Sequence, residues 1–127
     1  MMMPSQPRPV FLNLFQIRLP VAGVMSIAHR IAGVLLFLAI PFAIALLSLA
    51  LADEKGFFQT QALLQQPLTQ MGLLLLLWAL SHHFLAGIRY LLIDIHLGVQ
   101  APRYRHTAWA VLIAAPVLAV LLLWGLS

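Results

Sequence analysis

The sequence predicts an all-α integral membrane protein with three transmembrane helices. Three observations lead to this prediction: 63% of the 127 residues are hydrophobic, only 8% are charged, and the charged residues leave long uncharged apolar segments between them. A soluble domain of this size carries about a quarter charged residues. An ordinary water-soluble globular fold is therefore excluded. The apolar segments belong in lipid, where a helix satisfies its own backbone hydrogen bonds.

The three apolar segments each match the thickness of a bilayer. Residues 31–52 carry no charge, residues 71–88 follow a polar loop predicted at residues 59–70, and residues 107–127 are again uncharged. About 20 helical residues, rising about 1.5 Å each, cross a hydrocarbon core of about 30 Å. With the flanking turns included, we predict one domain, residues 1–127, with spans at about residues 21–51, 68–95 and 107–127.

The basic residues predict the orientation of the three spans. Three arginines precede or begin the first span and three more surround the second loop, whereas the first loop has one lysine beside two acidic residues. Basic residues concentrate in cytoplasmic segments. We therefore predict a cytoplasmic N-terminus and second loop, and a first loop and C-terminus outside. The net charge of +4 does not indicate nucleic acid, because the arginines end apolar segments and form no basic patch.

His83 is the most informative polar residue of the second span. It lies six residues before Arg89, about 9 Å of helix into the membrane, where an ionisable group needs a partner or ligand. Gly87 and Tyr90 share its face at i+4 and i+7, and a glycine there leaves space for a flat macrocycle. Two interpretations stay open: haem ligation, and a neutral imidazole hydrogen-bonded to a neighbouring helix. His82 points about 100° away and competes for the ligand role.

The predicted orientation gathers further polar residues at the same membrane face. Ser26 and Arg30 lie one turn apart at the start of the first span, with His29 beside them. A hydroxyl and a cation can hydrogen-bond a carbonyl oxygen and stabilise negative charge on it. The alternative is a topology anchor at Arg30 and a helix-packing role for Ser26. Arg89 and Asp94 are poorly spaced for an intrahelical ion pair, so we expect each to contact a neighbouring chain or the lipid surface.

Two separated motifs resemble a known family. The first comprises residues 8–10 (RPV), 17–20 (IRLP) and 26–33 (SIAHRIAG), and the second comprises residues 83–94 (HFLAGIRYLLID). Both are similar to the cytochrome b membrane-anchor subunit of succinate dehydrogenase, the larger of that enzyme's two anchor chains. The motifs occur in the family's order on a chain of the expected length.

The resemblance implies a four-subunit respiratory enzyme of the bacterial inner membrane. A flavoprotein with FAD oxidises succinate, an iron-sulfur subunit carries electrons, and two anchor chains share haem b and bind ubiquinone. It implies that His83 is an axial haem ligand, with the second ligand on the other anchor chain. It also implies that Ser26 and Arg30 bind the quinone, and that His29 and Arg30 contact haem propionates. Gly87 and Tyr90 complete the haem pocket.

One position departs from the family, and two other functions stay open. Tyr90 stands where the family often has histidine; a phenol can hydrogen-bond a propionate but carries no positive charge. The first alternative is the anchor of a quinol-oxidising fumarate reductase, which uses similar parts in the opposite direction. The second is a non-redox, three-helix assembly subunit, which would bind no haem.

The orientation is testable with single cysteines, because the chain contains none of its own. A cysteine introduced at Ser5 or Gln100 should react with a membrane-impermeant maleimide only from the cytoplasmic side, and one at Gln59 only from outside. The physical reason is the excess of arginines on the N-terminus and second loop. The reverse labelling pattern would contradict both the orientation and the cytoplasmic position of the polar residues.

Overall fold

The computed structural model describes residues 18–126, and this part of the chain forms helices joined by short turns. Three helices, the first, third and fourth, are long and apolar enough to cross a membrane. The prediction of three spans is thereby confirmed. Ser5 and the motif segment at residues 8–10 lie outside the described residues. The helices are α1 (Val21–Ala52), α2 (Glu54–Leu64), α3 (Pro67–Asp94) and α4 (Arg103–Leu126).

The loop predicted at residues 59–70 is wrong over most of its length, because residues 67–70 belong to α3 and residues 59–64 to the short helix α2. The Asp53 carboxylate caps this helix by accepting a hydrogen bond from the Gly56 amide at 2.6 Å. Gly56 also lets α2 approach α1 closely, because a Cβ at this position would collide with the Leu49 carbonyl oxygen. The chain then turns, and Pro67 occupies the first position of α3, where a missing N–H leaves no hydrogen bond unmade.

The other helix boundaries lie close to those predicted. Helix α1 begins directly after Pro20, α3 ends at Asp94, and α4 begins four residues before the predicted third span. The early start of α4 follows from the Pro102 carbonyl, which accepts hydrogen bonds from the amides of Arg105 and His106. The start of α4 lies beside the last turns of α3, where Arg89 contacts it.

Small residues bring the three long helices together. Ala32, Ala79, Ala86, Ala108, Ala115 and Ala119 are all buried, and Met25 is the largest apolar side chain that the described residues bury completely. Without water to drive helices together, close backbone approach through small residues is the usual basis of packing in lipid. Large apolar side chains point outward instead; Phe37 and Phe42 are each 71% exposed.

Arg89 links α3 to α4 and is the one charged side chain buried within residues 18–126. Its Nε donates to Thr107 Oγ1 and its Nη2 donates to the Tyr104 carbonyl, both at 3.0 Å. The expectation that Arg89 contacts a neighbouring chain or the lipid surface is therefore wrong. Its partners lie on the first two turns of α4, which sequence spacing alone does not bring beside α3. Asp94 is exposed.

Replacing Arg89 with leucine should lower the stability of the detergent-solubilised protein by about 1–3 kcal/mol, because two hydrogen bonds from a charged donor are lost. Thr107→Val removes one acceptor only and should cost less. The thermal denaturation midpoint measures both effects. Arg105→Leu is the matched control, since Arg105 is exposed on the same helix. Equal midpoints for Arg89→Leu and Arg105→Leu would show that the link between α3 and α4 does not stabilise the protein.

Candidate functional site

The polar residues predicted on the first and second spans meet where the N-terminal half of α1 packs against the C-terminal half of α3. The His29 ring stacks on the His83 ring, with centroids 4.2 Å apart and planes 11° from parallel. The edge of the Tyr90 ring meets His29, with centroids 5.3 Å apart. Three of the residues predicted for the site thus form one aromatic cluster between two membrane-spanning helices.

His83 has one ring nitrogen engaged and one available. Its Nδ1 lies 3.3 Å from the His29 carbonyl oxygen. Because a carbonyl can only accept, Nδ1 carries the proton in this hydrogen bond, and Nε2 of the neutral ring keeps its lone pair. A metal-ligating histidine usually donates its other ring N–H to a carbonyl or carboxylate, which is the arrangement of His83 and the His29 carbonyl.

Gly33 is a site residue that the sequence reasoning missed. A Cβ at Gly33 would lie only 3.1 Å from Cε1 of the His83 ring, closer than side chains normally pack. Glycine therefore lets the imidazole lie against the backbone of α1. Its position one turn after His29 was the available signal, because residues four apart share a helix face.

His82 is in a different environment from its neighbour. The side chain is completely buried, its Nε2 lies 3.3 Å from the Met25 carbonyl oxygen, and its ring stacks on Trp78 with centroids 5.5 Å apart. Its Nδ1 is buried and has no hydrogen-bond partner among the described residues. In His82, the nitrogen that keeps a lone pair is therefore Nδ1, and the chain itself encloses it. The His83 side chain, by contrast, is only half-buried.

Gly87 and the α1 pair border the cluster. An added Cβ at Gly87 would meet no atom of another described element within 4 Å, so there is space beside α3 one turn from His83 within residues 18–126. Ser26 is half-buried and Arg30 is exposed, one turn apart on α1. Within the part of the chain that the structure describes, neither side chain has a hydrogen-bond or ion-pair partner.

A separate cavity of about 790 Å³ lies near the opposite ends of the long helices. Its walls are apolar side chains, Thr60 and the uncharged amides of Gln61, Gln65 and Gln70, and none of its lining residues is ionisable. It is distinct from the histidine cluster.

Comparison with known proteins identifies the family. The family model described as succinate dehydrogenase/fumarate reductase transmembrane subunit matches residues 4–123. The chain belongs to this family. The resemblance of the two sequence motifs to the cytochrome b anchor subunit of succinate dehydrogenase is thereby confirmed.

Bacterial relatives agree with this membership over nearly the whole length of the chain. The succinate dehydrogenase cytochrome b556 subunit of Coxiella burnetii is 35% identical over 115 residues, which are 90% of this chain and 92% of the relative. The subunit of the same name from Paracoccus denitrificans is 32% identical over 116 residues, 91% of this chain and 89% of the relative. A transmembrane family, bacterial relatives and three apolar helices together assign this chain to the bacterial inner membrane.

Proposed function

We propose that this chain binds haem b together with a second anchor subunit and helps to form the ubiquinone-reduction site of a respiratory succinate dehydrogenase. The observation that carries the proposal is the state of His83: Nδ1 is held by the His29 carbonyl, Nε2 keeps its lone pair, and open space lies beside Gly87. The relatives that carry the name cytochrome b556 support the same cofactor.

The residues present fit a haem. His83 would hold the haem iron through Nε2, together with a histidine of the second anchor subunit. A haem bound there supplies a one-electron redox centre. Gly87 would leave room for the haem, because no described side chain or other helix lies within 4 Å of a Cβ built there. His29, Arg30 and Tyr90 would contact the propionates; Arg30 supplies a positive charge, while the Tyr90 hydroxyl can donate a hydrogen bond.

Ser26 and Arg30 would bind the ubiquinone head group. The hydroxyl of Ser26 donates a hydrogen bond to a quinone carbonyl oxygen, and the Arg30 guanidinium stabilises the negative charge that develops there as electrons arrive. Both side chains lack partners within residues 18–126, and they lie on the helix that carries His29. With the N-terminus in the cytoplasm, the protons for quinone reduction come from the cytoplasmic side.

The remaining chemistry belongs to other subunits. Oxidation of succinate requires a flavin in a water-filled pocket, and we assign that chemistry to a partner subunit. A flavoprotein subunit with FAD and an iron-sulfur subunit would therefore dock on the cytoplasmic face and deliver electrons to the quinone site. This chain anchors them to the membrane and does not itself oxidise succinate.

A second candidate function is the anchor of a quinol-oxidising fumarate reductase, because the matching family includes both enzymes. Relatives named as succinate dehydrogenase subunits favour the first function. The rates of succinate oxidation by ubiquinone and of fumarate reduction by quinol, measured on the same purified complex, separate the two.

His83, and not His82, should be required for the haem spectrum of the purified complex. His83→Ala removes the available Nε2 and should abolish the b-type absorption band or convert a low-spin bis-histidine signal to high spin. His82→Leu should leave the spectrum intact, because both nitrogens of His82 are enclosed within this chain. An exchange of the two outcomes would show that His82 is the ligand. A spectrum without haem in the wild-type complex would favour the non-redox assembly subunit.

Variants of Ser26 and Arg30 should lower ubiquinone reduction selectively. Ser26→Ala should reduce turnover about threefold to tenfold, the effect of one lost hydrogen bond. Arg30→Leu should reduce it about 100-fold, as expected for a lost electrostatic stabiliser, and Arg30→Lys should restore only part of the rate.

The controls separate quinone chemistry from assembly. Electron transfer from succinate to a soluble dye that accepts upstream of the quinone should stay near wild type. Ser48→Ala and Arg103→Leu, at exposed positions outside the site, should leave quinone reduction unchanged. If the Ser26 and Arg30 variants lose both activities in parallel, or keep normal quinone reduction, these residues do not bind the quinone.

A further inference from the structure

Two consecutive histidines of α3 contact two successive turns of α1. His82 Nε2 lies 3.3 Å from the Met25 carbonyl oxygen, and His83 Nδ1 lies 3.3 Å from the His29 carbonyl oxygen. The two carbonyls are four residues apart, which is one helical turn. Each belongs to the residue directly before one of the two side chains assigned to the quinone: Met25 precedes Ser26, and His29 precedes Arg30.

The two hydrogen bonds are the directional polar contacts that help to set the register between the helices. The rest of the contact includes the stacked His29 and His83 rings and apolar residues such as Met25 and Ala86. A helix shifted by one residue moves about 1.5 Å along its axis and turns its side chains by about 100°. Either movement would break both hydrogen bonds. Each carbonyl can accept them without losing its own helical bond, because it has two lone pairs.

The hydrogen bond of His82 has no substitute among the described residues. The side chain is completely buried, and its Nδ1 finds no partner. If Nε2 also lost the Met25 carbonyl, a buried imidazole would be left without any hydrogen bond, which is unfavourable in an apolar surrounding. The native register of α1 is therefore the arrangement that satisfies His82.

Given the proposed function, we propose that His82 is a positioning residue of the quinone site: its Nε2–H, donated to the Met25 carbonyl, holds the Ser26 and Arg30 turns of α1 in register with His83. His82 does not touch the quinone, because its side chain is completely buried by its own chain. It acts through the backbone of α1.

The test compares three substitutions at His82 in the assembled complex. His82→Gln keeps an N–H donor at nearly the distance of Nε2, His82→Asn carries its donor on a shorter side chain, and His82→Leu has no donor. We expect Leu and Asn to raise the KM for a short-chain ubiquinone, and the Kd of a competitive quinone-site inhibitor, about twofold to fivefold. This is the lower part of the range for one hydrogen bond, since 3.3 Å is long for N–H···O. Gln should restore both values to near wild type.

The controls distinguish this proposal from the quinone site itself. Succinate oxidation by the soluble dye and the haem spectrum should stay unchanged in all three variants, and His106→Leu, an exposed histidine on α4, should leave the KM unchanged. Equal KM and Kd values for Gln, Asn and Leu would overturn the positioning role, as would failure of all three variants to assemble. If Ser26→Ala and Arg30→Leu also left quinone reduction unchanged, the proposed function would fail instead.

Discussion

The lipid interior offers no hydrogen bonds, so the nitrogen-bearing side chains of His82, His83 and Arg89 depend on partners within the protein. The partners are backbone carbonyls and hydroxyls of a neighbouring helix: Met25 and His29 carbonyls for the two histidines, and Tyr104 and Thr107 for Arg89. Small residues bring the helices close enough for these contacts. Together the contacts tie α1 to α3 and α3 to α4, and they create the surroundings in which the site residues lie.

His82 and His83 differ in their ability to bind a ligand, because the ring nitrogen that carries no hydrogen bond is in a different environment in each. In both rings a carbonyl engages one nitrogen, which requires the proton there and leaves the lone pair on the other. For His82 that lone pair is on Nδ1, enclosed in the bundle, whereas for His83 it is on Nε2 of a half-buried ring. Identical side chains one residue apart thus divide into one that supports the helix contact and one that can bind a ligand.

The fold and much of the site could be predicted from the chain itself. Charge-free segments of bilayer length predict three spans, and the helical positions of Ser26, His29 and Arg30 follow once Pro20 begins the first helix. Helix α2 was missed because its polar composition suggested a loop, although Asp53 and Glu54 are a recognisable helix start. A preference for His83 over His82 also came from residue spacing, because only His83 shares a face with Gly87.

Spacing along one helix could not predict contacts between helices. Nothing in the sequence brings Thr107 and the Tyr104 carbonyl beside Arg89, since that depends on where α4 begins and how it packs. In the same way, the pairing of His82 with the Met25 carbonyl, and of His83 with Gly33, depends on the rotation of α1 against α3. When nearly every face of a helix is apolar, the periodicity of its hydrophobic residues indicates only coarsely which residues face lipid. The tertiary structure alone decided these pairings, because each joins atoms on helices whose relative depth and rotation no local pattern specifies.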